Sequence, residues 1–191
     1  MALLTECSST MPHEIIVGVT GGIAAYKTAS LVSELVQARH FVSVVMTRSA
    51  REFVGPATFR ALTGRAVATD IFDSQNFPLG AHIELAQQAE LLCVAPATAD
   101  FIAKAAHGMA DDLLSTLLLS FAGPVLLAPA MNADMWAKPS VQRNLTQLRS
   151  DGVHIVDPGE GWLSCRLKGV GRMAEPEEIK LAICDSLTKG E

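Results

Sequence analysis

Cysteine is scarce and scattered in this 191-residue chain. Cys7, Cys93, Cys165 and Cys184 form neither a CxxC pair nor any compact Cys/His ligand set, which argues against a metal site and a disulfide-stapled miniprotein and for a reducing compartment. Basic residues are also few: 15 Lys plus Arg face 20 Asp plus Glu, for a formal charge of −5. With no consecutive basic block to neutralise a phosphate backbone, nucleic acid is a poor partner. A single anionic small molecule is not excluded, because backbone amides and one or two cations bind a phosphate even in an acidic protein. Long apolar runs are missing too. The richest, residues 113–127, is cut by Gly123-Pro124 and falls short of the roughly 20 residues that span a bilayer. The first 12 residues lack the basic start and apolar stretch of a secretory signal. The expectation is a cytoplasmic chain with no membrane partner, a flexible N-terminus over residues 1–12, and one domain over 13–191.

What is present is alternation. Ile15-Ile16-Val17-Gly18-Val19 reads as a buried strand running into Thr20-Gly21-Gly22, after which Ala25, Ala29, Val32 and Val36 mark one face of a helix. A β-branched strand follows over 41–46. The pattern continues with a helix over about 49–62 interrupted at Gly55-Pro56, and a short strand over 67–71. A helix over 82–89 then leads to a strand over 91–95, and helical sequence over 99–121 breaks at Gly108. After a strand over 125–128, a stripe of Val141, Leu145 and Leu148 precedes the sixth strand over 153–156, and Ile179, Ile183 and Leu187 line a last helix. Six short apolar strands separated by helices predict a three-layer α/β/α, Rossmann-like (flavodoxin-like) domain with a mostly parallel six-stranded sheet. Ligands in such folds bind beyond the carboxyl ends of the strands, so the segments just after strands carry the function.

The first of these, Gly21-Gly22-Ile23-Ala24, lets backbone amides approach a ligand at a helix N-terminus. It is not the GxGxxG fingerprint, and it is compatible with either a mononucleotide phosphate or a plain tight turn. Thr47 and Ser49 offer hydroxyls or act as helix caps. Pro96-Ala97-Thr98-Ala99-Asp100 and Pro129-Ala130-Met131-Asn132 place small and hydrogen-bonding groups after later strands, while Met135 and Trp136 suit core filling. His82, at a helix start, is a cap or a proton-transfer group, imidazole being the side chain that exchanges protons near neutrality. The glycine-punctuated stretch over about 159–173, with Cys165, Arg166, Lys168 and Arg172, is a mobile lid or an ordinary loop with an inert cysteine.

Taken in order, Gly21-Gly22-Ile23-Ala24-Ala25-Tyr26-Lys27, His82-Ile83-Glu84-Leu85-Ala86, Pro96 to Asp100, Gly108-Met109-Ala110-Asp111-Asp112, Pro129 to Asn132 with Met135-Trp136, and Gly169-Val170-Gly171-Arg172-Met173 resemble the flavin-dependent cysteine decarboxylases. Within that family the likeness is greatest to the branch serving coenzyme A biosynthesis, and it runs from residue 15 to about 178. The resemblance implies FMN as cofactor, held by Gly21, Gly22, Ile23 and Ala24, by Thr47 and Ser49, and by Thr98, Ala99, Asp100 and Ala130. It implies His82 as acid/base, Asn132 at the substrate carboxylate, Met135 as a further substrate contact, and Cys165 as proton donor to an enethiol. It further implies 4'-phosphopantothenoylcysteine as substrate, with Arg166, Lys168 or Arg172 at its phosphate, and a separate phosphopantothenate–cysteine ligase upstream. The family's flavin sites are completed across subunits, so a homo-oligomer built from trimers, up to a dodecamer, is expected. Family members that modify peptides lack the cysteine, and others act as non-catalytic regulatory subunits; these are the alternatives. One departure stands out: the family has glycine after the cysteine where this chain has Arg166.

Overall fold

The computed structural model describes residues 11–188, so the N-terminus expected over 1–12 lies mostly outside the described residues. Strands β1 (Glu14–Val19), β2 (Phe41–Met46), β3 (Leu91–Ala97), β4 (Val125–Pro129) and β5 (His154–Ile155) form one parallel sheet in the order β2-β1-β3-β4-β5. The chain steps outward from β1 to β2 and then returns to the other side of β1, which puts the reversal of strand order between β1 and β3.

Helices cover both faces because the central strands are apolar on both. Ile15, Val17 and Val19 join one core with α1 (Ala25–Gln37), α2 (Pro56–Thr63) and α8 (Pro176–Thr188). Ile16 points into the second, with α3 (Ala81–Gln88), α4 (Ala99–Ala106), α5 (Leu113–Ser120) and α7 (Pro139–Ser150). The predicted stripes Val141, Leu145, Leu148 and Ile179, Ile183, Leu187 are all buried. The expected break at Gly108 is a left-handed residue, φ +63°, and the interrupted helix over 49–62 is a 3-10 turn (Ser49–Glu52) followed by α2.

Two expectations are corrected. The strand predicted over 67–71 is a single parallel bridge, Val45 with Ala68, because the chain turns away at once, with the Asp70 carboxylate accepting the Phe72 N–H at 2.9 Å. The central sheet therefore has five strands, not six. The stretch over 159–173, expected as a loop, is largely an antiparallel hairpin of β6 (Gly159–Trp162) and β7 (Lys168–Arg172). Four glycines in it removed the alternation by which strands are recognised. Among the described residues, Cys93 on β3 is free and wholly buried, and burial pushes its thiol up to about 12.

At the far end of the sheet from the strand termini of interest, buried His40 accepts the His13 backbone N–H at 3.3 Å, and the His13 ring meets Glu90 at 2.8 Å. Burial pushes the His40 imidazole below its ordinary value, His13 and Lys180 adding to the effect and Glu90 opposing it. The folded state thus prefers neutral His40. Stability is fully present above the unfolded pKa of about 6.5 and falls as pH drops through the lower folded value. Thermal melts between about pH 7 and about pH 5 check this, and His40→Asn, whose amide oxygen accepts the same N–H, is expected to flatten the slope.

Candidate functional site

A cleft of about 370 Å³ opens beyond the carboxyl ends of β1, β3 and β4, between the first glycine turn and the β6–β7 hairpin. Its floor is set by buried hydroxyls. Thr20 donates to the Pro96 carbonyl at 2.6 Å and accepts the Thr98 N–H at 3.1 Å, and Thr28 donates to the Ala95 carbonyl at 2.7 Å. These bonds tie the β1 exit and α1 to the end of β3 across the strand-order reversal. Gly21 is required: a Cβ there would overlap the Ser49 side chain. Gly22 faces open space, with only Pro96 and Thr98 at 3.8 Å from a built Cβ. The N-cap of α1, Ala24, has no side-chain cap; the Ala25, Tyr26 and Lys27 N–H groups are taken by the carbonyls of Gly22, Ile23 and Ala24, so the helix brings the positive end of its dipole to the cleft and not free first-turn amides.

The opposite wall is the segment after β4. Asn132 caps the short helix α6 (Ala133–Trp136), its side-chain oxygen accepting the Met135 N–H at 2.8 Å. That bond orients the side chain and leaves the amide nitrogen as its donor toward the cleft that Asn132 lines. The Met131 N–H donates to the Gly171 carbonyl at 3.0 Å. Gly171 has φ +137° and backs directly onto the Met131 carbonyl, where no Cβ fits. The base of the hairpin is thereby fastened to the Asn132 segment.

Of the residues expected from the sequence, Gly21, Gly22, Ile23, Ala24, Thr98, Ala99 and Ala130 line this cleft together with Asn132, Met135 and Arg172. The others do not. Thr47 caps the 3-10 turn, accepting the Ala50 N–H at 3.2 Å, and Ser49 stands behind Gly21. Asp100 is exposed and paired with Lys104 at 3.4 Å. His82, in the first turn of α3, is not among the residues lining the cleft, and its Nδ1 is buried without a hydrogen-bond partner among the described residues. Cys165, Arg166 and Lys168 are exposed at and beside the hairpin tip. Trp162, Leu163 and Ser164 line the cleft unannounced, since only the pairing of β6 with β7 brings them there. Lys27 also lines it and stood in the sequence only as the end of the Gly21 to Lys27 motif, with no role attached.

The family model described as Flavoprotein matches residues 4–188. The chain belongs to the Flavoprotein family. Among curated relatives, it is 50% identical over 171 residues to the coenzyme A biosynthesis bifunctional protein CoaBC of Bacillus subtilis, covering 89% of this chain and 42% of the relative. To the protein so described in Mycobacterium tuberculosis it is 49% identical over 169 residues, covering 88% and 40%. The chain thus spans about two-fifths of the length of these relatives. Among solved structures, the FMN-dependent cysteine decarboxylase SpaF is 37% identical with a TM-score of 0.81, covering 93% of this chain and 96% of that one. A cysteine-to-serine variant of PPC decarboxylase complexed with pantothenoylaminoethenethiol is 28% identical with a TM-score of 0.80, covering 91% and 97%.

The hairpin tip shows what Arg166 does to the backbone. Ser164-Cys165-Arg166 forms a three-residue loop, with Leu163 N–H to Leu167 O at 2.9 Å and Arg166 N–H to Leu163 O at 2.9 Å. Arg166 sits at φ +63°, the left-handed position such loops reserve for glycine. The arginine keeps the backbone geometry at a conformational cost. Arg166→Gly is expected to stabilise the protein by about 1 kcal/mol, raising Tm by about 2–4 °C in thermal melts. An unchanged or lower Tm would mean that the exposed guanidinium contributes more than its backbone costs.

Proposed function

We propose that this chain is an FMN-dependent decarboxylase that converts 4'-phosphopantothenoylcysteine to 4'-phosphopantetheine in coenzyme A biosynthesis. The observation that carries the proposal is Asn132, a neutral amide whose oxygen is occupied and whose nitrogen is left for a carboxylate, in one cleft with the positive dipole end of α1. The cleft suits a flavin mononucleotide: Gly21 and Gly22 carry no side chain into it, Thr98 adds a hydroxyl, and Ile23, Ala99 and Met131 supply apolar wall. Bound there, FMN would accept two electrons from the thiol-bearing carbon and return them after CO2 leaves, so that an electron sink exists and no net redox change occurs.

The chain's own residues do the rest. Asn132 orients the substrate carboxylate without the full charge that would overstabilise a group about to leave. Arg172, alone among the three cations considered, lines the cleft where it can meet a phosphate. His82 exchanges the thiol proton, and Cys165 donates a proton to carbon in the enethiol. The PPC decarboxylase variant complexed with pantothenoylaminoethenethiol, in which a cysteine is serine, supports that last role.

His82 lies outside the cleft of its own chain, so its role belongs to an oligomer built from trimers in which a neighbouring copy completes the site. Ile83 and Leu119, on the packed pair α3 and α5, are exposed, as are Phe72 and Leu79 before α3, which supports burial of that face against another copy. A phosphopantothenate–cysteine ligase would supply the substrate. A cytoplasmic location goes with the proposed biosynthetic role; no helix among the described residues is long and apolar enough to cross a membrane.

Incubation of the FMN-loaded protein with phosphopantothenoylcysteine, followed by mass spectrometry, tests the proposal. The expected product is lighter by one CO2 alone. A product lacking two further hydrogens would move the chain to the oxidative decarboxylases, and recovery of unaltered substrate would refute the proposal.

A further inference from the structure

Arg172, the last residue of β7, lines the cleft and lies across β6, its Cδ 2.9 Å from where a Cβ on Gly161 would stand. Its Nη2 is 2.8 Å from Glu175 Oε1. The other carboxylate oxygen of Glu175 is 2.9 Å from Lys27 Nζ. Lys27 rises from the first turn of α1, is only 7% exposed, and also donates to the carbonyls of Met173 at 2.9 Å and Ala174 at 3.4 Å. Its three ammonium protons thus have three acceptors, all on the segment that leaves the hairpin for α8. Lys27, and after it Arg172, hold the Glu175 carboxyl below the usual carboxylate range, so Glu175 keeps its charge between the two cations.

We propose that Glu175, anchored by buried Lys27, is a positioning residue that presents Arg172 to a phosphate monoester at the rim of the cleft. The pairing with Glu175 uses one guanidinium nitrogen and leaves the others for a ligand. An arginine held in advance loses less rotamer freedom on binding than a free one. The positive dipole end of α1 on the same cleft favours negative charge. Two phosphates have this chemistry, that of the mononucleotide cofactor and that of the substrate. The inference rests on the proposed function for the identity of both.

The test uses the unaltered protein, Glu175→Gln, Arg172→Ala and the double variant in two arms. In the first, protein stripped of flavin is titrated with FMN and with riboflavin by flavin fluorescence. In the second, steady-state kinetics compare phosphopantothenoylcysteine with pantothenoylcysteine. Glu175→Gln is expected to weaken the phosphorylated member of one pair about tenfold and its partner little. If the substrate pair moves, the effect falls mainly on KM, and the phosphate is the substrate's; if the flavin pair moves, it is the cofactor's. The double variant should be no weaker than Arg172→Ala alone, since Glu175 acts through Arg172. Equal loss for both members of each pair, or additive losses in the double variant, would overturn the inference. If the unaltered protein does not turn over the substrate, the proposed function falls and the flavin arm alone decides this inference, a flat result overturning it. Should Glu175→Gln fail to fold, Glu175→Asp, which keeps the charge and shortens the reach, must show an intermediate loss of phosphate selectivity, and no loss counts against the role.

Discussion

Replacing His82 by asparagine is expected to lower turnover by about 10²-fold or more while leaving the fold and FMN binding intact. The fold should survive because the imidazole contributes little to it: Nδ1 is buried with no hydrogen-bond partner among the described residues. The nearby bond runs from the Ser120 hydroxyl to the His82 backbone carbonyl at 3.3 Å, which the substitution keeps. FMN binding should survive because His82 does not line the cleft of its own chain. Turnover is lost because no other histidine replaces it: His13 and His40 sit at the opposite strand ends, and His107 and His154 are exposed away from the cleft. The measurement is steady-state decarboxylation at matched FMN occupancy. Activity near that of the unaltered protein would leave His82 a helix-start residue and nothing more. Mixing His82→Asn with Asn132→Ala subunits extends the test, since activity should reappear only in mixed oligomers if each site takes its histidine from one copy and its asparagine from another.

Cys165→Ser is expected to change the product rather than only its rate. Serine preserves size, but a hydroxyl is a far weaker acid than a thiol. The variant should therefore lose CO2 from the substrate and release the enethiol, two hydrogens lighter than phosphopantetheine, under anaerobic turnover analysed by mass spectrometry. Full conversion to phosphopantetheine would show that Cys165 is inert. The hairpin determines how this donor reaches the cleft. Its base is fastened through Met131 and Gly171 and through Lys27 to Met173, and its tip is closed by the bonds between Leu163, Arg166 and Leu167. Cys165 sits on that exposed tip, next to Arg166 in its left-handed conformation. Adding Arg166→Gly to otherwise unaltered protein should relax the tip, and a faster final protonation is the expected consequence.

The parallel α/β architecture was legible in the chain because strand and helix signals are local. The run Ile15-Ile16-Val17, the four-three-four spacing from Ala25 to Val36, and the breaks at Gly108 and Gly123-Pro124 each act through neighbours in sequence. The same locality placed Gly21, Gly22, Thr98 and Asn132 just after strands, and the sheet's strand order then brings them to one cleft. Where the signal was weak, the expectation slipped. Residues 67–71 carried enough β-branched character to suggest a strand, yet only Ala68 pairs. The hairpin, by contrast, carried too little, because glycine has no side chain with which to show a period of two.

What only the tertiary structure decided are the contacts between residues far apart in the chain. The grip of Lys27 on Met173, Ala174 and Glu175 spans nearly 150 positions and leaves no mark on either segment, because a lysine in a helix reads as a solvated cation until the partner that buries it is known. The same holds for His82 standing outside the cleft that Asn132 lines, and for Arg172 being the one flap cation that lines it. Hydrophobic periodicity sets which face of an element is buried; it does not set which elements meet, since that depends on loop closure and sheet order summed over the whole chain.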